Sequence, residues 1–126
     1  MTHTTAYNPA AGMIETVAQG PITSSEAKEI ISEIIQAAIE NDCFFCLTDY
    51  RQAIIDMSTS DIYNIPKIIS NKQASTGLYL KNFKRAIVVE KGLKDFQFLE
   101  TVTLNMGQHI KLFTDMDEAK KWLFEP

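Results

Sequence analysis

Two short runs, Phe44-Phe45-Cys46-Leu47 and Ala86-Ile87-Val88-Val89, are apolar at every position. A strand with one wet face alternates polar and apolar side chains, whereas a strand covered on both faces has no reason to. Four residues are far too few to span a membrane, which takes about 20. Both runs therefore read as strands in the middle of a sheet with helices on either side. Ile110 to Phe113 reads as the last strand beside them.

Between these runs the period changes to that of a helix. Thr23-x-x-Glu26 is a capping box, and Ala27, Ile30, Ile31, Ile34, Ile35 and Ala38 follow at i, i+3, i+4 spacing, up to a stop at Asn41-Asp42. Glu29, Ser32, Glu33, Gln36 and Glu40 take the opposite face. Ser58 to Gln73 is predicted helical, with Ile62, Ile65, Ile68 and Ile69 inward. Pro66 inside it removes a helical hydrogen bond, which predicts a kink or two short helices. Ser75 to Lys84 reads as a loop. Leu93 to Met106 is a third helix ending at Gly107, and Asp115-x-x-Glu118 caps a fourth that buries Met116, Ala119, Trp122 and Leu123.

Ahead of these elements, Met13 to Gln19 alternates like a strand and follows the turn Asn8-Pro9-Ala10-Ala11-Gly12. The threonine-rich segment His3 to Tyr7 is either a short strand completing a hairpin or part of a mobile tail. The chain of 126 residues is one domain's worth. The expectation is a single α/β domain over residues 1–126, with a mixed, mostly parallel sheet of four to five strands covered by about four helices. Right-handed crossovers join its parallel strands.

Charge and cysteine usage narrow the function. A net charge of −4 argues against a nucleic-acid module. Met1 to Gly12 has neither the basic nor the apolar stretch of a signal peptide, no run is long enough for a transmembrane segment, and the two cysteines suit a reducing compartment. The expected location is cytoplasmic.

Few residues carry readable chemistry. Cys43-x-x-Cys46 enters a strand, where i and i+3 point to opposite faces roughly 10 Å apart, so both read as buried structural thiols. His3 and His109 lack a readable nucleophile partner, and the five glycines are isolated, so no phosphate loop exists. Lys81-Asn82-Phe83-Lys84-Arg85 reads as a solvated loop before a strand, with contact to a phosphate or an acidic partner as the alternative.

Asp49, Tyr50 and Arg51 lie at the carboxyl end of a buried strand, where open α/β sheets place their ligand sites. Glu90 and Lys91, and Thr114 and Asp115, end the next two strands on the same edge, and Ser58 opens a helix whose free N–H groups face it. These residues are expected to form a rim for a partner or ligand. The plainer alternative is a surface ion pair of Arg51 with Asp49 or Glu90, plus an ordinary N-cap at Ser58. For an enzyme, Asp49, Glu90 and Glu100 are candidate acid–base carboxylates, with no distance between them given by the sequence. No catalytic, cofactor-binding or metal-ligating residue is assigned, and no cofactor is expected.

The order of elements, with Gly20-Pro21-Ile22-Thr23, Leu47-Thr48-Asp49-Tyr50-Arg51, Ser60-Asp61-Ile62-Tyr63-Asn64-Ile65-Pro66, Phe98-Leu99-Glu100-Thr101-Val102 and Phe113-Thr114-Asp115, resembles the STAS-like (SpoIIAA-like) family of unassigned function. The resemblance spans Met13 to Leu123. It implies a non-catalytic regulatory module that binds another protein. In the anti-sigma pathway such modules carry Asp-Ser-Ser-Gly at a helix start, and one serine is phosphorylated. The corresponding stretch here is Asp56-Met57-Ser58-Thr59-Ser60-Asp61, which makes Ser58 the candidate phosphosite, although the glycine is missing and Asp61 adds a charge. Neighbouring CRAL-TRIO-like families imply an alternative, a small-molecule or lipid binder whose apolar pocket involves Ile54, Tyr63 and Phe98 with Tyr50 and Ile55. A homodimer through the amino-terminal edge strand is a further expectation.

Overall fold

The computed structural model of the chain describes residues 2–76, 83–90 and 109–125. Its elements are β1 (Thr2–Asn8), β2 (Met13–Ile22), α1 (Ser24–Asn41), β3 (Phe45–Ile55), α2 (Thr59–Thr76), β4 (Lys84–Val88), β5 (His109–Phe113) and α3 (Met116–Leu123). The five strands stand side by side in chain order. β1 is antiparallel to β2, and β2, β3, β4 and β5 are mutually parallel. The expected helix over Leu93 to Met106 lies outside the described residues, as do Lys91, Phe98 and Glu100.

The hairpin turns where Gly12 adopts φ 69°, its N–H donating to the Asn8 carbonyl at 2.9 Å. Glycine takes that left-handed conformation without steric cost. The segment before it, Thr2–Asn8, pairs antiparallel with Met13 to Gln19 as the first strand of the hairpin.

α1 forms as its pattern dictates. Thr23 Oγ1 accepts from the Glu26 N–H at 3.3 Å, and all six predicted inward residues, Ala27 to Ala38, are buried. Each fully buried isoleucine contributes about 1.5–3 kcal/mol relative to exposure. α2 is one helix through Pro66 rather than two short ones. The sheet has a core on each face. Ile14, Cys46, Ile87 and Ile110 pack beneath α1 and α2, while Met13, Leu47, Ala86 and Val88 pack against Ala119 and Leu123 of α3.

β3 departs from expectation. It runs on to Ile55, so Asp49, Tyr50 and Arg51 lie in the middle of a strand and not at its end. Its pairing with β2 steps from Val17–Asp49 to Gln19–Gln52, three residues on β3 against two on β2. That β-bulge reverses the alternation. Cys46 and Tyr50 face the α1–α2 core before it, and Ala53 and Ile55 do so after it.

Candidate functional site

A buried polar cluster lies on the sheet face beneath α1 and α2. Thr16, Cys46 and Thr48 are fully buried, Tyr50 is buried, and the Arg85 side chain is only 7% exposed. The register explains the grouping. Arg85 pairs with Cys46 across the β3–β4 ladder, so its side chain reaches over the same face as Thr48 and Tyr50. Arg85 Nε donates to Thr48 Oγ1 at 3.3 Å and an Nη donates to the Tyr50 hydroxyl at 3.4 Å. Both bonds are long. Among the described residues no carboxylate lies within ion-pair distance of this guanidinium. Burial pushes the Tyr50 phenol and the Cys46 thiol above their ordinary values.

Two cavities open between α1, α2 and this face. The larger, about 200 Å³, is lined by Ser24, Ala27, Lys28, Met57, Asp61, Asn64, Ile65 and Ile68. The smaller, about 20 Å³, is walled by Ala27, Ile31, Tyr50, Ile55, Met57, Ile65 and Arg85. They share the walls Ala27, Met57 and Ile65, so they are neighbours along the α1–α2 seam, with buried Arg85 lining the smaller one.

Among the described residues, only α3 packs on the opposite face of the sheet, against Met13, Leu47, Ala86 and Val88. On the same face, Val17 is 40% and Ile54 is 64% exposed. Asp49 and Arg51 flank that surface as a bidentate pair. Arg51 Nε and Nη donate to the two Asp49 carboxylate oxygens at 2.9 and 2.8 Å, and the Arg51 N–H adds a third bond at 3.1 Å. The Arg51 hydrogen bond holds the Asp49 carboxyl below its usual value, with burial opposing it. Asp49 and Arg51 are two residues apart on one strand, so their side chains fall on the same face, beside the bulge in which Tyr50 and Arg51 both stand opposite Ala18.

No family model matches the chain, and no curated protein matches its sequence. Solved structures do. The anti-sigma factor antagonist SpoIIAA in its unphosphorylated form superposes with a TM-score of 0.57 at 7% identity, covering 96% of each chain. The fold is SpoIIAA-like. An uncharacterized protein of the DUF3478 family with a SpoIIAA-like fold, from Shewanella loihica PV-4, superposes with a TM-score of 0.59 at 17% identity, covering 97% of this chain and 92% of its own. Likeness at such identities speaks for architecture, and function has to be argued from the site.

Within the SpoIIAA-like frame the expected rim is divided. Asp49 pairs with Val88 near the carboxyl end of β4, and exposed Glu90 follows two residues later. Ser58 lies past the end of β3, nine residues beyond Asp49; the six from Asp49 to Ile55 alone extend roughly 20 Å along the strand. Ser58 Oγ there accepts from the Asp61 N–H at 3.1 Å, as an N-cap does. Hydroxyls of Ser24 and Ser58 hold the Asp61 carboxyl below its usual value. Tyr50 points to the other face of the sheet and belongs with Arg85. Of the residues expected in an apolar pocket, Ile54 is turned outward by the bulge and Tyr63 is 48% exposed on α2, whereas Tyr50 and Ile55 wall the smaller cavity.

The basic run before β4 is also corrected. Lys84 and Arg85 are not loop residues but the first two of β4, on opposite faces. Lys84 Nζ lies 4.3 Å from the Trp122 ring centre and donates to the Trp122 and Glu125 carbonyls at 2.6 and 3.3 Å, closing the end of α3. Arg85 is the residue that sequence reasoning placed in solvent. The signal available was its position one residue before a wholly apolar run.

His3 is fixed rather than free. Its imidazole lies between Glu26 and Glu33 of α1, at 3.2 and 2.8 Å. The ligand atoms of His3, Glu26 and Glu29 lie within 4.8 Å of one another, a grouping a metal ion would fit and that residue spacing does not reveal. Cys43 and Cys46 are both buried free thiols. No helix among the described residues is long and apolar enough to cross a membrane.

Proposed function

We propose that this SpoIIAA-like chain is a non-catalytic, cytoplasmic regulatory module that binds a protein partner through the sheet surface that carries Val17 and Ile54. The observation that supports the reading is the apolar surface of Val17 and Ile54 flanked by the Asp49–Arg51 pair. Exposed apolar side chains beside oriented charges suit a partner with both apolar and charged groups. Ser58 is the regulatory input of this proposal. A phosphate there would add about −1.5 to −2 charge at the start of α2 and would compete with the cap on Asp61. Affinity capture from native lysate compares the wild-type chain with Ile54→Lys and Arg51→Glu. A partner retained by the wild type and lost from both variants supports the reading. A partner held equally by all three, or none at all, contradicts it.

A second reading, a small-molecule binder, is favoured by the seam between α1 and α2. A cavity of about 200 Å³ exceeds the ~150 Å³ that suffices for a benzene-sized molecule. Native mass spectrometry of the untreated protein tests this reading. A bound small molecule supports it, and a bare mass opposes it.

A further inference from the structure

We infer that the seam between α1 and α2 takes a small organic acid, with its carboxylate on Arg85 and its apolar body along Ala27, Met57 and Ile65. This rests on the small-molecule reading and gives it a chemical class.

The first observation is the uncompensated charge. A guanidinium carries five N–H donors and stays charged at any accessible pH. Among the described residues, two of the five in Arg85 meet acceptors, both neutral hydroxyls at 3.3 and 3.4 Å. Removing a cation from water costs several kcal/mol unless an opposite charge or a full set of hydrogen bonds offsets it. Neither is supplied by the described residues. An anion with one oxygen beside Arg85 would provide the opposite charge and a charge-assisted hydrogen bond.

The second observation is the space. Arg85 and Tyr50 form one end of the smaller cavity, whose 20 Å³ holds about one water-sized group, enough for a carboxylate oxygen. Beyond it the shared walls of Ala27, Met57 and Ile65 lead into the larger cavity, where Ile68 extends the apolar lining. The far end is polar, with Ser24, Lys28, Asp61 and Asn64. A charged inner end, an apolar middle and a polar mouth fit a short acid with its charge inward. The volume is too small for a long-chain lipid, since pockets for drug-sized ligands are about 300–1,000 Å³.

The third observation is where the walls come from. Ala27 and Ile31 lie on α1, Ile65 and Ile68 on α2, and Met57 on the connection before α2. The ligand would touch both helices at once, so occupancy would bear on how they pack.

The test is calorimetric titration of the full chain with hexanoate and with hexanamide, its neutral counterpart of the same shape. The expected result is saturable binding of hexanoate, with hexanamide at least tenfold weaker. In Arg85→Met, whose folding is checked by circular dichroism, hexanoate affinity falls at least tenfold to the level of the amide. Arg85→Lys retains part of the preference. Equal binding of acid and amide by the wild type overturns the anionic site while leaving the small-molecule reading intact. A preference for the acid that survives in Arg85→Met places the anion elsewhere and overturns the assignment to Arg85. Absence of binding by either compound overturns this inference and weighs against the small-molecule reading.

Discussion

His3 of β1 and Glu33 of α1 are hydrogen-bonded, imidazole Nε2 to carboxylate, at 2.8 Å across 30 residues of sequence. Glu26 faces the other ring nitrogen at 3.2 Å, and the His3 side chain is 9% exposed. One imidazole thus ties the edge strand to the first helix.

Stability should depend on the His3 proton. The hydrogen bond to Glu33, with the charges of Glu33, Glu29 and Glu26, holds its pKa above the ordinary 6.5 against the opposing effect of burial. The folded state then binds the proton more tightly than the unfolded chain. This stabilisation is complete below about pH 6.5 and is lost as pH rises through the higher folded pKa. His3→Gln should cost about 1 kcal/mol below that window, a modest figure because both carboxylates are partly exposed, and should lose the decline above it. Denaturant titrations across the pH range check both points. A wild-type profile with the same slope as the variant contradicts the pairing.

Arg85→Met should leave the ligand-free protein as stable as wild type or raise its stability by about 1–2 kcal/mol. An apolar side chain of similar length replaces a buried charge that lacks a countercharge among the described residues. Removing one member of a genuine buried ion pair costs about 3–5 kcal/mol instead. Urea midpoints separate the two cases.

Leu123→Ala should destabilise by about 2–4 kcal/mol, since Leu123 is fully buried against the second core with Met13, Leu47, Ala86 and Val88. The same substitution at exposed Phe124 should cost much less. Thermal melts of the two variants make the comparison.

Cys46 should resist alkylation in the folded protein. Its thiol is fully buried, and that burial raises its pKa, which leaves little thiolate. Mass spectrometry after iodoacetamide treatment should show Cys46 unmodified under native conditions and modified in guanidinium. Rapid native modification contradicts the packing.

The elements that sequence reading located best are those whose signal is local. Thr23 and Glu26 sit within one turn, and the isoleucines of α1 repeat on one face, so cap and core were both visible. The apolar runs of β3 and β4 were visible for the same reason. What escaped depends on relations between strands. The bulge opposite Ala18 exists only in the pairing with β2, so neither the length of β3 nor the outward turn of Ile54 is legible in the sequence. His3 meets partners more than 20 residues away, and no local pattern announces them. Arg85 was hidden by its neighbours, because Lys81 and Lys84 make the run read as wet. Its inward direction follows from the register with Cys46, which only the assembled sheet fixes. The carboxyl ends of β3 and β4 are offset along the sheet, since Val88 pairs with Asp49 while β3 continues to Ile55, and that offset follows only from the register.

The central claim is that Arg85 lies beneath α1 and α2 with its guanidinium against the seam. Nuclear Overhauser spectroscopy of isotope-labelled protein tests it directly. The account predicts a slowly exchanging Arg85 Nε–H with cross-peaks to the methyl groups of Ala27, Ile31 and Ile65. A rapidly exchanging Nε–H with no such cross-peaks would place the side chain in solvent and contradict the account.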